Sequence, residues 1–243
     1  MIRVENGGRA FEDRWIVKGL QFEIHSQDRF FIIGKSGTGK SVLMKLLTGL
    51  IPPSEGTIWI DEHNVTRFTE EHWNHIRRKF GVVFQGAALF DSLNIFQNTG
   101  IRLLEEKKLS VPKIKEQVIN ALEQVGLSAD ILYKLPAELS GGMRKRVGIA
   151  RAIIHQPQYL FYDEPLAGLD PISSELIDDL ILAIAHKNPQ VTTIVISHDM
   201  YSVKKIATQV LLLHEGEQRF LGSQELFFQS DDPVIRSFLH RSL

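Results

Sequence analysis

The chain has 243 residues, 43% of them hydrophobic, no cysteine, and 28 Lys plus Arg against 29 Asp plus Glu for a net charge of −1. The lack of cysteine excludes disulfides, thiolate catalysis and cysteine-type zinc sites. The balanced charge gives no basic field of the kind that nucleic-acid binding draws on, so no nucleic-acid partner is expected.

In chain order, residues 2–5 and 21–25 read as short strands. The apolar run 30–33 is a third, and it feeds the loop Gly34-Lys35-Ser36-Gly37-Thr38-Gly39-Lys40-Ser41 and a helix over 42–50. A strand at 57–60 follows a Pro- and Gly-containing turn, and 80–84 is a continuous apolar strand of the kind buried in parallel sheets. Residues 87–152 read as a mostly helical insert, with helices near 111–125 and 141–152. Strands at 159–162 and 193–196 alternate with helices at 172–186 and 201–208. A hairpin over 209–222 follows, and the tail from 223 to 243 reads as helical. Strands alternating with helices predict an α/β fold with a mostly parallel sheet. No stretch approaches the ~20 apolar residues of a membrane span. The first seven residues carry no secretory core. A protein made in the cytoplasm is expected, with any membrane link made through a partner.

Three stretches carry chemistry. In the glycine loop, residues 34, 37 and 39 lack Cβ atoms, so successive backbone N–H groups can converge on an anion. The following helix adds its unpaired N–H groups and the positive end of its dipole. Lys40 would reach the β- and γ-phosphates and the Ser41 hydroxyl would ligate Mg²⁺. That strand–loop–helix pattern predicts a bound nucleoside triphosphate, with Gly34, Lys35, Ser36, Gly37, Thr38, Gly39, Lys40, Ser41 and Val42 around its phosphates. The second stretch is an apolar strand that ends in Asp163 and Glu164. Ligands of α/β sheets sit beyond the carboxyl ends of strands, so Asp163 is read as a Mg²⁺ ligand and Glu164 as the group that polarises the attacking water. The third is Ser140-Gly141-Gly142 at a helix start, a second place for an anion.

Taken together, these stretches resemble the nucleotide-binding domains of ABC transporters over nearly the whole sequence. Residues 34–41 look like the Walker A motif, 159–164 like Walker B with its catalytic glutamate, and 139–143 like the ABC signature. Gln85 fits the Q-loop glutamine and a second Mg²⁺-side group. Asp170 fits the D-loop and His198 the switch histidine. Phe11 sits where the family places an aromatic against adenine, with Trp15 as the other candidate ring. The resemblance implies one nucleotide-binding domain over 1–243, built as a P-loop NTPase (RecA-like) core. An N-terminal antiparallel β subdomain and a helical signature subdomain at about 87–152 complete it. It also implies ATP and Mg²⁺ as cofactors, and a homodimer in which Ser140, Gly141 and Gly142 serve the partner's ATP. Glu164, His198, Lys40 and Gln85 would act in hydrolysis.

Within the family, residues 84–93, Met143 in place of the commoner glutamine, and the tail around 232–239 resemble the ATPase subunits of Mla-type phospholipid transport systems. That resemblance implies integral membrane permease subunits and an MCE-domain lipid-binding protein as partners. It places the chain peripherally on the cytoplasmic side of the inner membrane. An importer ATPase for a polar solute such as an amino acid, or a regulatory ABC ATPase of the cell-division type, is the alternative.

Overall fold

The computed structural model describes residues 1–240. Its elements are β1 (Ile2–Phe11), β2 (Arg14–Ile24), β3 (Arg29–Ile33), α1 (Lys40–Leu47), β4 (Glu55–Ile60), β5 (His63–Asn64), α2 (Glu70–Arg77), β6 (Phe80–Val83) and α3 (Ile95–Glu106). They continue with α4 (Val111–Gln124), α5 (Gly141–Ile153), β7 (Tyr159–Asp163), α6 (Pro171–Lys187), β8 (Thr192–Ser197), α7 (Met200–Ile206), β9 (Gln209–His214), β10 (Glu217–Ser223), α8 (Gln224–Gln229) and α9 (Pro233–Leu239). The contacts divide the chain into two units, one formed by Met1–Lys79 with the segment from Pro189 onward, the other by Phe80–Asn188.

The first unit holds an antiparallel sheet in the order β2-β1-β4-β5. Its rungs join like with like. Ile24, Ile2 and Ile60 lie side by side, as do Phe22, Val4 and Ile58, and all six are buried. Cross-strand apolar rows of this kind stabilise a sheet on its covered face. The strands expected at 2–5 and 21–25 are longer, reaching Phe11 and starting at Arg14. Past Val4 the register shifts at Gly7 and Gly8, which erases the period-2 apolar signal while backbone pairing continues. The same unit builds a second set of strands around β3, whose residues Phe30, Phe31, Ile32 and Ile33 have no exposure. β3 is parallel to both β8 and β9, and β10 returns antiparallel to β9. Sequence reading misses α2, because only Trp73 and Ile76 of its eight residues are buried.

In the second unit β6 and β7 pair in parallel, from Phe80 opposite Tyr159 to Val83 opposite Tyr162. The Phe80 ring meets Tyr159 and Phe161 edge-on, with centroids 5.7 and 5.2 Å apart. Helices α3, α4 and α5 pack on one another. Residues 87–94, expected within a mostly helical region, are not helical. The helix starts at Ile95, after a capping box in which the Asn94 side chain accepts from the Gln97 N–H while the Gln97 side chain accepts from the Asn94 N–H. The preceding loop is held by Asn98, which is fully buried. Its amide donates to the Phe90 and Leu93 carbonyls at 3.0 and 2.8 Å, and its carbonyl accepts from the Phe90 N–H at 2.8 Å. A loop whose backbone polar groups are satisfied by a side chain has no need of helix.

His155 follows α5 and adds a pH dependence. Its Nε2 lies 2.9 Å from the Phe80 carbonyl, and its Nδ1 is buried with no hydrogen-bond partner among the described residues. Burial lowers its pKa below 6.5 and the Arg102 charge adds to this, against the Phe80 carbonyl and Glu106. The folded chain therefore binds its proton less readily than the unfolded chain, and stability falls as pH drops below about 6.5. Thermal unfolding at pH 7.5 and 5.5 should show the wild type losing about 2–4 °C more than His155→Gln over that step; equal losses would exclude His155 as the source.

At the end of the chain, Ser223 caps α8 and Asp232 caps α9, the latter anchored by an ion pair with Arg219 at 2.5 Å. Of the tail expected to be helical, residues 224–229 and 233–239 are helix; 241–243 lie outside the described residues.

Candidate nucleotide site

β3 delivers the glycine loop at its carboxyl end. Gly34 is wedged there: a Cβ would stand 2.6 Å from both the Leu213 carbonyl oxygen and Thr38 Oγ1. Gly39, at φ 99°, is the left-handed N-cap of α1 and makes no side-chain cap bond. A Cβ on it would lie 2.4 Å from Val17 and 2.9 Å from the Ile16 carbonyl, so β2 closes directly on the loop. Gly37, at φ 80°, faces open space. Gly39 thus offers the first turn of α1 no side-chain cap, and a helix start that is not capped by its own N-cap residue is the arrangement that receives a phosphate.

Lys40 is 8% exposed. Its ammonium donates to the Gly34 and Lys35 carbonyls at 2.8 and 3.0 Å, while the Thr38 hydroxyl donates to the Lys35 carbonyl at 2.8 Å. The loop is therefore braced from both ends. Lys35, Ser36 and Ser41 are exposed and Thr38 and Val42 half-buried. Because Ile33 pairs with Ser197, Gly34 and the exposed His198 leave adjacent parallel strands at the same level. The Ser197 hydroxyl accepts from the Asp199 N–H at 3.0 Å, which fixes the backbone just after His198.

Phe11 and Trp15 both sit at the turn end of the β1–β2 hairpin, 44% and 41% exposed. The Arg9 guanidinium lies over the Phe11 ring at 4.7 Å and the Lys18 ammonium over Trp15 at 5.4 Å. Each ring is thus partly exposed with a cation over one face, and nothing in the two environments separates them.

The second unit repeats the edge-of-sheet arrangement. Val83 opposite Tyr162 places Gln85 just beyond β6 and the Asp163–Glu164 pair at the end of β7. Tyr162 is fully buried, its hydroxyl has no hydrogen-bond partner among the described residues, and burial raises its pKa. Asp163 and Glu164 emerge from that apolar strand half-buried. Glu164 has φ 47°, unusual for a residue with a side chain and a form of local strain that clusters at functional sites. The Ala167 N–H closes the turn on the Glu164 carbonyl at 3.1 Å. At the start of α5 the Ser140 hydroxyl accepts from the Met143 N–H at 3.2 Å. A Cβ on Gly142 would lie 3.9 Å from Ser173 Oγ, which brings Ser140–Gly142 close to the start of α6. There Asp170 caps the helix, accepting from the Ser173 N–H and hydroxyl at 3.0 and 2.6 Å. The hydroxyl contact first, then the N–H, holds its carboxyl below the usual range.

Serine hydroxyl, carboxamide and carboxylate oxygens are hard donors of the kind that Mg²⁺ takes; Ser41 offers one in the first unit, and Gln85 and Asp163 offer theirs in the second. The loop with its uncapped helix N-terminus fits a polyphosphate. The cations of Arg144-Lys145-Arg146 bind backbone carbonyls: Arg144 that of Leu139, Lys145 those of Pro165 and Ala167, and Arg146 that of Gly126.

The model of the family "ABC transporter" matches residues 17–167. The chain is 36% identical to "Probable ribonucleotide transport ATP-binding protein mkl" of Mycobacterium leprae, over 98% of this chain and 68% of that protein. It is 34% identical to "Intermembrane phospholipid transport system ATP-binding protein MlaF" of Haemophilus influenzae, over 98% of this chain and 90% of that one. It is also 34% identical to "Methionine import ATP-binding protein MetN 1" of Staphylococcus aureus N315, over 92% and 65%. Among solved structures, a dimeric post-hydrolysis state of the ATP-binding cassette MJ0796 with ADP and Pi superposes with a TM-score of 0.83 at 25% identity, covering 92% of this chain and 99% of that one.

Proposed function

Because this chain belongs to the ABC transporter family of ATP-binding proteins, and so hydrolyses ATP, we propose that it powers phospholipid movement between inner and outer membranes from the cytoplasmic side of the inner membrane. In this reading 1–243 works as a single nucleotide-binding domain whose helical part spans about 87–152. Two copies sit beneath integral membrane permease subunits and serve an MCE-domain lipid-binding protein. The observation that carries the lipid assignment is the match to MlaF, 34% identical over 98% of this chain, against 92% of it for MetN 1 at the same identity. Residues 84–93 support it, since Phe84 and Phe90 are 41% and 53% exposed; an apolar pair on a surface loop has a use if a permease segment docks there.

Each residue then has a part. The loop from Gly34 to Val42 holds the phosphates, and Phe11 stacks on the adenine. Ser41, Asp163 and Gln85 supply oxygens to Mg²⁺, which when bound neutralises phosphate charge as the terminal phosphoryl group transfers. Glu164 holds the attacking water and accepts its proton. As the water oxygen bonds to the terminal phosphorus, the bond to the bridging oxygen breaks and ADP departs with that electron pair. Lys40 and His198 offset the charge that develops. Ser140, Gly141, Gly142 and Asp170 complete the partner's site, so that ATP favours the closed dimer and ADP does not.

A polar-solute importer is the second reading, favoured by the equal 34% identity to MetN 1. Purification of the chain with its native membrane partners, followed by mass spectrometry of subunits and lipids, separates the two. An MCE-domain protein and bound phospholipid are expected; a periplasmic amino-acid-binding protein in their place would overturn the lipid assignment.

A further inference from the structure

Helix α5 carries two cations that are spent on backbone carbonyls of the two turns bearing Glu164 and Gln85. Lys145 Nζ donates to the Pro165 and Ala167 carbonyls, both at 2.6 Å. Arg151 donates through Nη1 to the Ala88 carbonyl at 2.6 Å and through Nη2 to the Ala87 carbonyl at 2.7 Å. Both turns are strained. Glu164 has φ 47°, and Ala87 and Ala88 have φ 62° and 47°, a region that glycine occupies freely and other residues rarely. Such conformations persist where neighbouring groups over-determine them. Within the turns, the Ala87 N–H reaches the Phe84 carbonyl at 2.9 Å and the Ala167 N–H reaches that of Glu164 at 3.1 Å. The helix also presses on the first turn, since a Cβ on Gly148 would stand 3.3 Å from the Ala87 Cβ. Burial lowers the pKa of both cations, opposed for Lys145 by the Glu164 charge.

We propose that Lys145 and Arg151 are positioning residues that fix Glu164 and Gln85 through the backbone turns they clamp, so that α5 transmits the state of its Ser140–Gly142 end to both. The six-residue spacing sets the clamps about 9 Å apart along the helix axis, one per turn. A shift of α5 moves both turns together. The proposal rests on Glu164 and Gln85 acting in hydrolysis as assigned above.

The test uses the full chain and the variants Lys145→Met, Lys145→Arg, Arg151→Met and Arg151→Lys, with Glu164→Gln and Gln85→Ala as comparators. Turnover, KM for ATP, ADP affinity with and without Mg²⁺, and amide exchange over 84–90 and 163–168 are measured. Lys145→Met should lower kcat about ten- to a hundredfold with KM within about twofold, raise exchange at 163–168 alone, and be largely restored by Lys145→Arg. Arg151→Met should weaken the gain in ADP affinity that Mg²⁺ confers about tenfold, leave metal-free ADP affinity unchanged, and raise exchange at 84–90. Arg151→Lys keeps the charge and the stem but one ammonium replaces a two-pronged fork, so it should fold and still show the Mg²⁺ defect. Wild-type kcat in Lys145→Met, or wild-type Mg²⁺ dependence in Arg151→Lys, overturns the proposal when Glu164→Gln and Gln85→Ala are themselves impaired. If those two comparators behave as wild type, the assignment of Glu164 and Gln85 fails instead.

Discussion

Lys40→Ala should bind ATP about ten- to a hundredfold more weakly than the wild type, from the roughly 1.5–3 kcal/mol that a hydrogen bond to a charged group contributes. Two losses combine. The side chain is 8% exposed and its ammonium braces the Gly34 and Lys35 carbonyls, so its removal takes that donor from both, leaves the Lys35 carbonyl to Thr38 and lets the loop widen. It also removes the one full positive charge that the first turn of α1 brings to the phosphates, where the helix dipole supplies only about half a charge. Lys40→Arg should not restore affinity, because the longer, planar guanidinium has to enter a position where the lysine is only 8% exposed. Titration with a fluorescent ATP analogue measures all three proteins. An unchanged dissociation constant in Lys40→Ala would count against residues 34–41 as the phosphate loop.

The loop could be read from sequence because its constraints are local. Gly34 and Gly39 are excluded from bearing a Cβ by atoms of Leu213, Thr38, Val17 and Ile16, and only glycine answers that demand, so the positions show through. The strands that deliver the candidate residues were legible for a related reason: runs such as 30–33 and 159–162 are apolar at every position, as burial on both faces requires. Elements held by their ends or by polar contacts were not. The outer half of β1 pairs through its backbone past Gly7 and Gly8, and α2 rests on two buried side chains, so neither leaves a periodic trace. Lys145 and Arg151 illustrate the larger gap. A cation on a helix gives no sign of whether it meets water or a carbonyl sixty residues away, as Arg151 meets Ala87 and Ala88. That pairing is a property of the fold, and the strained φ angles that signal it are invisible in the letters.

The same strain bears on the second large effect. Glu164→Gln should retain ATP affinity within about twofold while turnover falls about a hundred- to ten-thousandfold, the range that a positioned proton acceptor supplies. The substitution is nearly isosteric, and the turn is fixed by groups that it leaves in place, namely the Ala167 N–H on the Glu164 carbonyl and the Lys145 ammonium on the two carbonyls that follow. The carboxamide therefore occupies the carboxylate's position and can orient a water, but it cannot take the proton. A protein that binds ATP and cannot spend it should also accumulate in whatever assembly ATP favours. Light scattering of Glu164→Gln should accordingly show a dimer with ATP and Mg²⁺ and a monomer with ADP, whereas the wild type returns to monomer as ATP is consumed. Near-normal turnover in this variant would remove Glu164 as the base. A monomer at saturating ATP would leave the base assignment standing and refute the closed dimer, because chemistry and assembly are then read by two independent signals from one protein.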